Sequence, residues 1–228
     1  MRSAAESLVA TRRHESPAPR VNTRASAAAK RAFDVLLAGI GLAGSLPLWA
    51  VFAVAIKLED GGDVFYGHER VGLGGRTFYV WKFRSMIPDA EAAVGPVQAH
   101  EDDPRITRVG RWLRATALDE LPQLWNIFRG DMSFVGPRAL RPGEIEVQGD
   151  GRFERLEDVP GFAERCAVRP GLTGIAQIFA PRDIPRRQKF RYDALYLRQQ
   201  RLSLDLRLIG LSFWITFRGR WESRGNKF

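Results

Sequence analysis

Residues 35–56 read VLLAGIGLAGSLPLWAVFAVAI, an apolar run without a single charged side chain. As a helix these 22 residues would extend about 33 Å, enough to cross the hydrocarbon core of a bilayer. No other stretch of the chain has this character, so its reading decides whether the protein spans a membrane or dips into one. Gly39, Gly41, Gly44, Ser45 and Pro47 crowd its middle, and Pro47 removes a backbone donor and bends a helix at residues 44–46. Spanning helices tolerate a proline, so a span and a re-entrant hairpin broken at Ser45 and Pro47 both stay open on this ground. Charge favours the hairpin: Arg12, Arg13, Arg20, Arg24, Lys30 and Arg31 precede the run, and the positive-inside bias holds such a leader in the cytoplasm. If the rest of the chain also uses a cytoplasmic substrate, the run must enter and return. A cleaved signal peptide fits poorly, because leader and apolar stretch are both too long and only Ala53-Val54-Ala55 suggests cleavage.

Around this run the chain divides into three. Residues 1–29, rich in Ala, Ser, Arg and Pro, read as a mobile basic tail. Residues 30–58 form the membrane segment, and residues 59–228 form one body. With 228 residues and 45% hydrophobic content, the chain can bury a core. Lys and Arg outnumber Asp and Glu by 35 to 26, for a net charge of +9. That excess points to anionic partners: nucleic acid, phosphorylated small molecules or anionic lipid. The lone Cys166 excludes an internal disulfide, and His14, His68 and His100 are too scattered to suggest a His-based metal site or a catalytic triad.

Beyond Lys57, Val64-Phe65-Tyr66 and residues 77–84, TFYVWKFR, flank glycines 72, 74 and 75, which predicts a β-hairpin. In the second strand Phe78, Val80, Lys82 and Arg84 share a face, so the two cations extend toward a common point or form a solvated rim. Residues 87–101 are loop-like. The segment DPRITRVGRWLR, residues 103–114, places arginines at 105, 108, 111 and 114 between Ile106, Val109 and Leu113. The spacing predicts a helix with a cationic ridge, either a plain solvated face or a grip on phosphates. No helix-turn-helix, zinc-finger or RNA-binding aromatic motif accompanies it.

The ridge leads to LDELPQL, residues 118–124. Leu121, Leu124, Trp125 and Phe128 fall at helical spacing and predict one buried stripe, with Gly130 as the stop. Asp119 and Glu120 then lie in the first turn, where the helix dipole and free N–H groups favour carboxylate anions and attract phosphate. Adjacent helical residues point about 100° apart, so the two acids cannot share one task. One could attack phosphorus while the other holds a metal ion; ordinary capping is the plainer alternative. Residues 130–138 read as a turn and short strand ending in Arg138. A helix is expected around 152–158, a turn at 169–174 before a short strand at 175–179, and an amphipathic helix over 192–217 suited to a core or a membrane interface.

In this order the pieces KRAFD (30–34), ERVGLGGRTF (69–78), KFRSM (82–86), DPRITRVGRWLR, LDELPQL, GDMSFVGPR (130–138), RPGLTGIAQI (169–178) and LDL (204–206) resemble the bacterial sugar transferases known as monotopic phosphoglycosyl transferases. The likeness runs from about Lys30 to Phe217. It implies an α+β fold: a small membrane-seated catalytic body of short strands and helices, a re-entrant helix-break-helix around Ser45 and Pro47, and amphipathic interfacial helices. It implies Asp119 as nucleophile, Glu120 as the ligand of Mg²⁺, and Lys82, Arg84, Arg111, Arg114 and Arg138 as holders of substrate phosphate. Two departures stand out: Pro137-Arg138-Ala139-Leu140 where the family usually has Pro-Arg-Pro-Glu, and Ala117 in place of a common serine.

The expected activity is transfer of a sugar 1-phosphate from a UDP-sugar to membrane polyprenyl phosphate, undecaprenyl phosphate in bacteria, through an aspartyl-phosphosugar with release of UMP. That would be the first membrane step of glycan synthesis, on the cytoplasmic face of the bacterial inner membrane, with the bilayer as partner and no nucleic acid. Phosphoryl transfer rests on positioning and charge stabilisation, which suits a chain with no catalytic histidine on offer. The alternative is a membrane-tethered, non-catalytic binder of nucleic acid or anionic lipid, which would need the arginines and not the acids.

Overall fold

The computed structural model describes residues 24–90, 103–147, 153–181 and 184–218. Helices and three two-stranded sheets alternate through them. The N-terminal helix α1 (Arg24–Asp60) is 37 residues long. It begins earlier than expected, because Ala25, Ala27, Ala28 and Ala29 are strong helix formers, so residues 24–29 belong to it and not to a tail. The rest of the predicted tail lies outside the described residues.

The helix also runs through Pro47 without interruption, in place of two helices separated by a break. Local bonding explains the continuity. The Ser45 hydroxyl donates to the Leu42 carbonyl and accepts from the Trp49 indole N–H at 3.0 Å, tying together the turns on either side of the weak point.

One stripe of α1 is buried from end to end. Asp34, Ala38, Ser45, Phe52 and Ile56 fall within about 40° of one another at 100° per residue. The opposite face carries Leu36, Ile40, Val51, Val54 and Leu58, all exposed. Both ends are fastened to the same body. Near the start, Lys30 Nζ lies 2.6 Å from Asp205, Arg31 donates to the carbonyls of Ile127 and Phe128, and Asp34 accepts the Phe134 amide. At the far end, Glu59 accepts the amides of Arg108 and Val109, and Asp60 pairs with Arg84.

The predicted hairpin is present: β1 (Phe65–Val71) runs antiparallel to β2 (Thr77–Phe83), with Phe65 opposite Phe83 and Val71 opposite Thr77. Its connecting 3-10 turn uses Gly74 and Gly75 at φ 66° and 79°, backbone that favours glycine. Helix α2 (Arg108–Ala115) starts at Thr107, whose hydroxyl caps the Gly110 amide. Gly110 permits a close approach, since a Cβ there would stand 2.0 Å from the Ser85 carbonyl oxygen.

A 3-10 turn over Leu118–Glu120 precedes helix α3 (Gln123–Arg129), which stops at Gly130 as expected. Its buried side is not the predicted one. Gln123, Leu124, Asn126 and Ile127 are buried, whereas Trp125 and Phe128 are exposed and stack on each other at 6.0 Å. Asn126 makes the difference: its side chain donates to the Tyr79 carbonyl and accepts the Trp81 amide, closing the free edge of β2.

The centre of the body is a pairing of distant segments. Strand β3 (Ser133–Val135) lies parallel to a later strand over Gly171–Thr173, with Ser133 opposite Gly171 and Val135 opposite Thr173. The antiparallel pair β4 (Ile145–Val147) and β5 (Phe153–Arg155) intervenes, followed by a 3-10 turn over Leu156–Asp158. A helix was expected there; cross-strand pairing with β4 claims Phe153–Arg155 instead. After α4 (Phe162–Arg165), the strand Gly171–Thr173 is β6, and Ile175–Phe179, expected as the strand, is helix α5. A Cβ on Gly171 would sit 2.0 Å from the Gly136 amide nitrogen, so glycine sets how closely β3 and β6 approach.

The C-terminal helix is two: α6 (Arg186–Gln199) and α7 (Leu202–Phe217), separated by extended backbone at Gln200 and Arg201. Val80, Leu124, Ile127, Met132, Val135, Ile178, Tyr196, Leu208 and Ile215 form the main core with Ala38 of α1.

Candidate active site

Asp119 and Glu120 occupy a separate 3-10 turn, ahead of α3 and not in its first turn. The turn is set by Ala117, which takes a left-handed conformation at φ 54° and ψ 19°. A residue with a Cβ adopts that conformation only at a cost of roughly 1 kcal/mol, and such strain gathers where side chains must be aimed. Hydrogen bonds from the Glu120 and Leu121 amides to the carbonyls of Ala117 and Leu118 then close the turn.

The acids meet Lys82. Its Nζ lies 2.6 Å from Glu120 Oε1 and 3.5 Å from Asp119 Oδ2. Asp119 is 6% exposed. Burial pushes the Asp119 carboxyl above its ordinary range, assisted by Glu120 and opposed by Lys82 and Arg114. Burial acts upward on Glu120 too, but Lys82, Arg138 and a hydrogen bond from Gln123 outweigh it and hold that carboxyl low. The adjacent acids are thus driven apart: Glu120 is held low, and Asp119 is the more basic of the two carboxylates. Burial acts against the Lys82 ammonium, and the two carboxylates overcome it.

The five cations expected to hold phosphate do not all gather at the acid pair. Lys82 does. Arg114, on the last turn of α2, acts on Asp119, and exposed Arg138, two residues beyond Gly136, acts on Glu120 and Lys82. Arg111 is exposed on α2. Arg84 is buried elsewhere. It forms a two-pronged pair with Asp60 and also bonds the carbonyls of Asp63 and Met86, so it anchors the end of α1. The alternation that put Arg84 beside Lys82 fails because β2 ends at Phe83.

The first strand contributes what sequence reasoning missed. Opposite residues of an antiparallel pair share a face, so Tyr66, His68 and Arg70 stand on the same face as Lys82, Val80 and Phe78. Arg70 donates to the Ala139 carbonyl, and burial together with Arg138 and Arg141 lowers its pKa to about 10. Burial and the charges of Arg70, Lys82, Arg141 and Arg138 lower His68 to about 3, so its imidazole is neutral. Period-two alternation in YGHERV, read as it was in the second strand, could have found these residues.

A bacterial sugar transferase family model matches residues 25–219. The chain belongs to that family. As a member it is a sugar transferase, so the alternative of a non-catalytic binder falls. It is 37% identical over 195 residues to the exopolysaccharide production protein ExoY of Rhizobium meliloti (strain 1021), covering 79% of this chain and 82% of that one. Identity is 40% over 206 residues to the UDP-glucose:undecaprenyl-phosphate glucose-1-phosphate transferase of Caulobacter vibrioides, 87% of this chain and 72% of that one. The Xanthomonas campestris pv. campestris protein of the same name is 40% identical over 189 residues; they make up 81% of this chain, which spans only 38% of that protein.

Proposed function

We propose that the protein transfers a sugar 1-phosphate from a UDP-sugar to undecaprenyl phosphate, with Asp119 as nucleophile. The observation that carries this is buried Asp119 and half-buried Glu120 on one lysine, inside a field of arginines. Two acids sharing Lys82 beside Arg114 and Arg138 leave cationic charge for a polyanion, and diphosphate supplies it. The names of the relatives indicate the same substrates.

In the first half-reaction an Asp119 Oδ forms a bond to the β-phosphorus, the bond from that phosphorus to the bridging oxygen breaks, and UMP departs with the electron pair. Lys82, Arg114 and Arg138 offset charge on the phosphate oxygens. In the second, an oxygen of polyprenyl phosphate attacks the same phosphorus and Asp119 is released as carboxylate. Covalent catalysis lets a soluble donor and a lipid acceptor use one small site in turn.

The donor set fits magnesium. Magnesium characteristically takes one or two carboxylates with substrate phosphates completing its shell, and the Glu120 carboxylate stands at the lysine and arginines proposed for those phosphates. Glu120 would hold the ion, which when bound would withdraw charge from the phosphates.

The placement of α1 supports a monotopic seat in the cytoplasmic leaflet. Both ends rest on one body, so the helix does not carry the chain to the opposite side, and its outer apolar face is left for lipid. The test is Asp119→Asn with UDP-sugar labelled in the sugar. Wild type should release UMP and retain labelled protein, and the variant should do neither; undiminished UMP release by the variant would remove Asp119 from its role.

A further inference from the structure

The inner face of β1 carries a polar atom that the fold leaves unsatisfied. His68 Nδ1 is buried and has no hydrogen-bond partner. Buried polar atoms without partners are rare in native proteins, and those that persist are commonly completed by ligand or water. Its place is informative. His68 sits opposite Val80, one step along the same face from Tyr66, which stands opposite Lys82. The Tyr66 ring flanks the imidazole with centroids 5.4 Å apart. Lys82 is the residue that holds both acids.

The surrounding charge limits what His68 can bind. Arg70, Lys82, Arg138 and Arg141 all disfavour a proton on it. A neutral imidazole offers one donor and one acceptor, and beside four cations it is the weakest competitor for phosphate. What it can recognise there is an uncharged hydroxyl, carbonyl or amide of the molecule whose phosphates Lys82 and Arg138 would gather.

We propose that His68 is a donor-recognition residue: its buried Nδ1 hydrogen-bonds an uncharged polar group of the UDP-sugar, on the sugar or on the uridine, beside the phosphate site. This rests on the phosphosugar-transfer reading above. Nothing in Asp119 chemistry requires it, so it can fail while the transfer reading stands.

The test compares His68→Phe, which keeps a ring without hydrogen bonding, with His68→Gln, which restores a donor and acceptor. Both are assayed in membranes for KM toward UDP-sugar and undecaprenyl phosphate, inhibition by UMP, and thermal midpoint. His68→Phe should raise the donor KM roughly tenfold, the effect of one hydrogen bond with its partner left unpaired. The acceptor KM and midpoint should hold, and His68→Gln should recover most of the loss. A parallel weakening of UMP inhibition places the contact on the uridine; unchanged UMP inhibition places it on the sugar. A donor KM within twofold of wild type, a common rise in both KM values with a lowered midpoint, or no recovery in His68→Gln would overturn the inference. Absence of UMP release by wild type from any UDP-sugar would instead remove the transfer reading.

Discussion

Ala117 shows how one residue can carry the cost of a site. It precedes the acids in left-handed backbone. Glycine adopts this conformation freely, while a β-branched side chain resists it. Ala117→Gly should therefore stabilise the protein by about 0.5–1 kcal/mol, the relief of strain exceeding the added freedom of the unfolded chain. Ala117→Val should destabilise it by more than about 1 kcal/mol. Thermal melts of both variants check this, and equal midpoints would mean that the turn carries no strain. Residue-scale reading of the sequence was reliable where chemistry is local: Gly130 as a helix stop and the hairpin glycines stand as expected, whereas the acid pair sits in a 3-10 turn ahead of the helix and not in its first turn. It misplaced Arg84, because alternation predicts a face but not the Asp60 carboxylate waiting past the strand end. It passed over His68, because isolated histidines carry no motif.

Among the elements, α1 and α7 are locked together by a buried polar cluster. Asp205 is fully buried, accepts from Lys30, and shares the single Tyr196 hydroxyl proton, at 3.0 Å, with the Val135 carbonyl. Burial raises the Asp205 carboxyl, opposed chiefly by Lys30. Removing Lys30 leaves an uncompensated buried charge. Lys30→Met should cost about 3–5 kcal/mol at neutral pH, the usual result of breaking a buried pair from one side. An acid whose folded pKa is raised loses stability as pH rises through the interval between its unfolded and folded values. In Lys30→Met that interval widens upward, so its deficit against wild type should shrink as pH falls and Asp205 takes a proton. Unfolding midpoints followed from pH 8 to pH 5 test this; a deficit independent of pH would show that Lys30 acts through packing. The elements hardest to read were those made by distant partners. Ser133–Val135 and Gly171–Thr173 pair across 38 positions in register, and a five-residue apolar run such as Ile175–Phe179 has no period long enough to separate strand from helix.

At the scale of the whole molecule, the body carries a face that water does not favour. The outer side of α1 exposes Leu36 at 68%, Ile40 at 71% and Leu58 at 82%. Phe128 packs against α1 beside Gly39, Trp125 stacks on Phe128, and α7 exposes Phe213, Trp214 and Phe217. Exposed apolar side chains in this number mark contact with lipid or protein, and the aromatic ones among them suit the headgroup boundary. The helical period of LPQLWNIF revealed an apolar stripe but not its destination, because core and lipid select the same side chains. A bilayer seat predicts that charge on the outer face harms lipid chemistry and leaves folding intact. Ile40→Lys and Val51→Lys combined would each place an ammonium against the acyl region at about 3 kcal/mol, enough to release much of the protein from membranes in carbonate wash. UMP release from UDP-sugar in detergent should persist, since neither residue faces the acids, while transfer to undecaprenyl phosphate in vesicles should fall steeply. Retention of the double variant in the membrane with normal lipid transfer would mean that this face meets something other than the bilayer.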